Sequence, residues 1–197
     1  PPLFENLSFS PVDGELLVAM GTDGILSLDR KGRARAWTYR DGLPREGIRA
    51  AIRDRRGVLW IGTNGGDALA QIDPSLRALE VDPETGVGLG LGSLTSFLEL
   101  APGRVLMGGA RGLFLWEEGR GIVNRWQKAP GSPAFDIWAL QAHPGGGVWI
   151  GTDKGLFRWR DGRIEAGCPQ MRNVSIASLL LHGGRLWVGT LGEGLAE

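Results

Sequence analysis

The stretch Gly147-Val148-Trp149-Ile150-Gly151-Thr152-Asp153-Lys154-Gly155-Leu156-Phe157-Arg158-Trp159 decides how this 197-residue chain folds. Its centre, Val148 to Thr152, returns as Leu59-Trp60-Ile61-Gly62-Thr63 and as Leu186-Trp187-Val188-Gly189-Thr190. Weaker copies stand at Val18-Ala19-Met20-Gly21-Thr22 and Val105-Leu106-Met107-Gly108-Gly109. With the shared Gly as marker, positions 21, 62, 108, 151 and 189 lie 41, 46, 43 and 38 residues apart. An internal period of that size means stacked supersecondary units rather than one continuous core.

The flanks repeat as well. Before each motif runs an alternating segment: Leu7 to Ser10, Ile48 to Asp54, Leu94 to Leu100, Ile137 to His143, Val174 to His182. After it come a turn such as Thr152-Asp153-Lys154-Gly155, a third short apolar segment, a Gly-bearing turn and a fourth. Short segments punctuated by Gly and Asp-Gly read as antiparallel hairpins, and no segment has helical periodicity. The 33 glycines agree, since Gly reaches left-handed backbone conformations at little steric cost. The expected fold is all-β, a β-propeller of about five four-stranded antiparallel blades, because one blade takes ~40–50 residues. The units fall at about 4–44, 45–90, 91–133, 134–172 and 173–197, the last incomplete. The motif strand lies inside its blade with both faces covered, hence its unbroken apolar run. Trp60, Trp149 and Trp187 are therefore expected to fill the wedge between blades, and the motif Gly to admit neighbouring backbone.

Trp37-Thr38-Tyr39-Arg40-Asp41-Gly42-Leu43-Pro44, followed by Ile48 to Asp54, Arg55-Arg56-Gly57 and Leu59 to Thr63, resembles the two-component regulator propeller repeat. That pattern passes from an aromatic strand through Asp-Gly-Leu-Pro to an inner strand, then Asp-x-x-Gly, Leu-Trp-Ile-Gly-Thr and Gly-Leu. Copies one and three depart from it in lacking the Trp, at Ala19 and Leu106. The resemblance implies a periplasmic sensor, joined through a transmembrane helix to a histidine kinase or diguanylate cyclase. By the same analogy the ring has seven blades, of which this chain supplies about four and two-thirds. A five-bladed ring closed by partner or flanking residues is the alternative.

Composition excludes several other classes. Lys plus Arg and Asp plus Glu number 22 each, so no global field attracts nucleic acid or an anionic membrane. No apolar run approaches the ~18 residues of a membrane span, and Pro1-Pro2-Leu3 opens no signal peptide. The chain reads as a mature fragment or an excised domain, and the resemblance implies that it meets a membrane only through segments it does not contain. Cys168 is the single cysteine, so no intrachain disulfide forms.

Catalytic constellations are missing. Carboxylates are scattered singly along turns, and no nucleophile pattern or phosphate-binding loop occurs. His143 and His182 share one repeat position with Asp54 and Leu100, which marks a locally hydrogen-bonded turn rather than an active site. No cofactor, metal or catalytic residue is assigned. Ligand-binding propellers use one mouth of the ring, where the outer-to-inner loops and the turns after the motif meet. The ligand-binding candidates there are Arg45, Arg49, Arg111, Trp138, Lys154 and Arg172, with Phe135 beside them. An arginine and aromatic set suits a sugar or a carboxylate. The expected partners are such a small molecule or a periplasmic protein, with a homo-oligomer through unclosed strand edges. The competing readings are an interaction scaffold without a small ligand and a propeller lyase or hydrolase.

Overall fold

A computed structural model describes residues 6–9, 14–64, 69–72, 78–79, 91–127 and 135–197, with 6–9, 78–79, 125 and 127 by backbone alone. Much of the mouth-side turn at 64–66 and of the outer-to-inner loops at 85–93 and 130–135 lies outside these residues, as do residues 10–13.

Five antiparallel sheets follow one another along the chain. The first contains β1 (Asn6–Phe9), β2 (Leu16–Ala19), β3 (Ile25–Leu28) and β4 (Ala34–Trp37). The second contains β5 (Ile48–Arg53), β6 (Leu59–Thr63), β7 (Leu69–Ile72) and β8 (Ala78–Leu79). The third contains β9 (Leu94–Ala101), β10 (Arg104–Gly109), β11 (Gly112–Glu117) and β12 (Gly121–Gln127). The fourth contains β13 (Ile137–Ala142), β14 (Val148–Thr152), β15 (Gly155–Arg160) and β16 (Arg163–Ala166). The fifth has three strands, β17 (Ile176–His182), β18 (Arg185–Thr190) and β19 (Leu195–Ala196). Strand order equals chain order in every sheet, the meander of a propeller blade. The first strands lie side by side, β1 by β5, β5 by β9, β9 by β13 and β13 by β17, so they are innermost. No comparable contact joins β17 to β1, which leaves the described blades as an arc.

Four apolar cores, one between each pair of blades, hold this arc together. Leu17, Ile25 and Trp37 of blade one pack on Ala51, Leu59 and Ile61 of blade two. Trp60 and Leu69 meet Phe97, Met107 and Phe114 of blade three, and Leu106 and Leu115 meet Ile137 and Ile150. Leu156 and Trp149 meet Ile176 and Val188. Trp60 and Trp149 thus fill wedges, whereas Trp187, half-buried in the fifth sheet, belongs to none of the four cores. Trp60 is fully buried and meets Trp116 edge-on at 4.7 Å, a favoured aromatic geometry.

The motif glycines are sockets for the next blade. A Cβ on Gly108 would stand 2.4 Å from Ile137 Cγ2, and one on Gly151 2.7 Å from Ile176 Cγ2. On Gly62 it would meet Leu94 at 2.6 Å. The residue facing each glycine across the ladder is small too: Ala50, Ser96, Ala139 and Ser178.

Blade one corrects the sequence alignment. Gly62, Gly108 and Gly151 stand opposite Leu69, Leu113 and Leu156, but Ile25 stands opposite Ala19, not Gly21. Gly21 lies in the turn at φ +59°, and the Trp position is occupied by Leu17 instead of Ala19. A motif match scored on Gly-Thr alone slid two residues, because this turn also carries those residue types.

Candidate functional site

Each innermost strand is the edge strand of its sheet, paired within that sheet on one side only, and its other edge lies toward the axis. There β5, β9, β13 and β17 enclose a cavity of about 390 Å³, within the size range of small-molecule sites. Its wall includes Ser96, Phe97, Trp138, Gln141, Ser178 and Leu179. No ionisable side chain is among the described lining residues. Ser96 is 7% exposed, and its hydroxyl has no hydrogen-bond partner. The wall therefore combines an aromatic face with neutral donors and acceptors.

One bulge recurs at the entry of β5, β9, β13 and β17, whereas β1 pairs with β2 in unbroken register. The register shifts bracket Arg49 between Ile48 and Ala50, Trp138 between Ile137 and Ala139, and Ala177 between Ile176 and Ser178. Thr95 takes the same place in blade three. An extra residue re-aims its side chain and sharpens the local twist. Thr95 uses this to donate its hydroxyl to the Ile137 carbonyl of the next blade. In blade four the bulge sets the half-buried Trp138 against the channel.

The other candidates distribute around the loop face. Arg45 is exposed and lies 4.9 Å from the Tyr39 ring, which Arg40 also covers at 5.8 Å. A 3-10 turn, Tyr39–Asp41, presents that tyrosine; Thr38 caps it and Gly42 closes it at φ +94°. Lys154 pairs with Asp153 at 3.4 Å, and its carbonyl accepts from the Asn173 N–H, next to the exposed Arg172. Arg111 is exposed and packs its chain over Gly92, where a Cβ would meet its Cγ at 2.9 Å. Arg49 is half-buried. Of the six candidates Trp138 lines the cavity, and the five cations are not among its lining residues. Phe135 stacks on Phe157 at 4.8 Å within the core.

The shared Asp and His position is at the opposite end. Asp54, fully buried, accepts the N–H groups of Arg56 and Val58, the Trp60 indole N–H at 3.0 Å and the Arg56 guanidinium at 2.9 Å. His143 reproduces part of that set, with Nδ1 accepting the Gly145 N–H at 2.8 Å and its ring 5.1 Å from Trp149. Desolvation, and then the Arg158 and Arg160 charges, lower its pKa from the usual histidine value. His143 is thus a neutral turn residue. Among the described residues no group of three or more His, Cys, Asp or Glu side chains could hold a metal ion.

Sequence reasoning missed Ser96, Gln141 and Ser178. The small residue facing each motif Gly carried the signal for the two serines, since Ala50, Ser96, Ala139 and Ser178 share one repeat position.

Radial meander blades around an axial cavity define a β-propeller protein. Residues 42–65 match the family model described as "Two component regulator propeller", and the chain carries that family's repeat. No curated protein matches the chain in sequence. Among solved structures it is similar to the extracellular domain of a B. thetaiotaomicron protein described as a one-component system. Identity there is 19% and the TM-score 0.71, over 99% of this chain and 27% of that one. A second B. thetaiotaomicron extracellular domain, of a hybrid two-component system, gives 20% identity and TM-score 0.71 over 98% and 26%. Virginiamycin B lyase from Staphylococcus aureus, solved with quinupristin, gives 16% and 0.70 over 95% and 63%. At such identities the shared property is the fold. The chain spans 27% and 26% of the two B. thetaiotaomicron domains. No helix among the described residues is long and apolar enough to cross a membrane.

Proposed function

We propose that this chain is part of a non-catalytic, extracytoplasmic sensor propeller whose channel binds a small molecule. Binding is passed through the blades to a membrane-linked histidine kinase or diguanylate cyclase. The carrying observation is the combination of the two-component regulator propeller repeat with an axial cavity walled by Trp138, Ser96, Gln141 and Ser178. The extracellular domains of signalling systems among similar structures support the location, and the neutral histidine turn argues against acid–base catalysis. An aromatic face with neutral hydrogen-bonding groups suits an uncharged sugar, and the loop-face cations Arg45, Arg111, Lys154 and Arg172 suit acidic substituents at the rim. Signalling requires that this ligand prefer one of two blade arrangements.

The test is a thermal-shift screen of the chain with neutral saccharides and sugar acids. A ligand at ten times its Kd adds about 1.4 kcal/mol, or ~3–6 °C for a domain of this size. The expected result is stabilisation by at least one compound, lost in Trp138→Ala. No stabilisation by any of them favours a protein-interaction scaffold, and turnover of a bound compound favours a lyase.

A further inference from the structure

A second cavity, of about 610 Å³, opens at the turn end of the wedge between blades one and two. Its wall includes a short side chain, Ser27, where the other blades carry longer ones. Across the other blades, paired positions on strands two and three carry Trp60 with Gln71, Leu106 with Leu115, and Trp149 with Arg158. Blade one has Leu17 with Ser27. Space that an indole and a long polar chain fill in blades two and four is left open beside Trp37.

The cavity is furnished for an anion. Trp37 is 7% exposed, and its indole N–H reaches the Ser27 hydroxyl at 3.4 Å. On that fixed ring lies the Arg35 guanidinium, 3.7 Å from the ring centroid. The two other arginines of the wall are already neutralised. Arg53 binds Glu15 at 3.0 Å and the Gly57 carbonyl, and Arg33 binds Asp29 at 2.6 Å. The Arg33 N–H and guanidinium hold the Asp29 carboxyl below its usual pKa, so that pair stays ionised at neutral pH. Arg35 has no acceptor among the described residues, which makes it the surplus charge of the cavity. Stacking restricts the guanidinium plane and leaves its N–H edge free, the geometry that carboxylates bind in bidentate fashion. Strand four carries Asn124 and Glu165 at the matching place in blades three and four, so among these three blades only blade one has a cation at this strand-four position.

We infer that the blade one–two wedge is a binding site for a small organic carboxylate, its acid group held by Arg35 and its apolar body beside Trp37 in the space above Ser27. The site lies at the end of the blades opposite the loop face and is independent of the channel. Calorimetric titration of the chain with benzoate and 3-phenylpropionate tests it, with benzamide as the uncharged match. Saturable binding of a carboxylate with no binding of benzamide is expected. Arg35→Gln, on an exposed side chain, should weaken it ~10-fold or more, as loss of a charge-assisted pair does. Ser27→Leu, which restores the blade-three residue, should abolish it with the charge intact, and Trp138→Ala should leave it unchanged. Equal binding of benzamide, unaltered binding in Arg35→Gln, or no carboxylate binding at about 10 mM overturns the inference. Because Trp138→Ala addresses only the channel, failure here and failure of the sensor reading are separately visible.

Discussion

Asp54 and His143 occupy one place in the repeat and solve the same problem with different chemistry. Both cap the turn that follows the inner strand, by accepting an N–H two residues on. Asp54 can also take the Trp60 and Arg56 donors, because a carboxylate accepts in several directions. His143 has one acceptor, Nδ1, and only while that nitrogen is unprotonated. Its folded pKa is therefore lowered, in line with the burial and arginine charges around it. The unfolded chain then takes up the proton first. Stability owed to this residue is complete above the unfolded value near 6.5 and declines as pH falls below it. Urea unfolding at pH 8, 6.5 and 5 should show wild type losing stability at the acid end relative to His143→Asn. A constant difference between the two proteins across that range would contradict this account of the residue.

At the scale of the strand, the Gly of each motif matters for what it leaves out. Gly108 admits Ile137, and Gly151 admits Ile176, at distances no Cβ tolerates. Gly108→Ala should cost about 1–3 kcal/mol by overpacking. Ile137→Ala opens a cavity that costs about 2–4 kcal/mol by itself. The double variant should cost less than the two together, because each relieves the other. Additive losses in denaturant unfolding would mean that the socket is not what fixes the glycine. The repeat period, the hairpins and the wedge packing of Trp60 and Trp149 were legible in the sequence because each is a local pattern of residue types. The bulges at Arg49, Thr95, Trp138 and Ala177 were not, since a bulge is a relation between two strands and leaves no residue signature. The two-residue offset in blade one, where Ala19 takes the Gly position, escaped for the same reason.

At the scale of the molecule, four inter-blade cores among the described residues tie five sheets into an arc, and the two cavities described above follow from its geometry. The channel arises at the inner edges of successive sheets, so its wall could not be read from any single repeat. Only Trp138 among the six sequence candidates reached it. The wedge beside Trp37 arises where blade one departs from the repeat, and such departures become meaningful once the register is known. Function at this scale depends on what the propeller is joined to. The most direct measurement is the complete coding sequence that contains this chain, read through to its stop codon. The account predicts an apolar transmembrane segment after the propeller, followed by a histidine kinase or diguanylate cyclase domain. A secreted propeller standing alone, with neither segment, would contradict it.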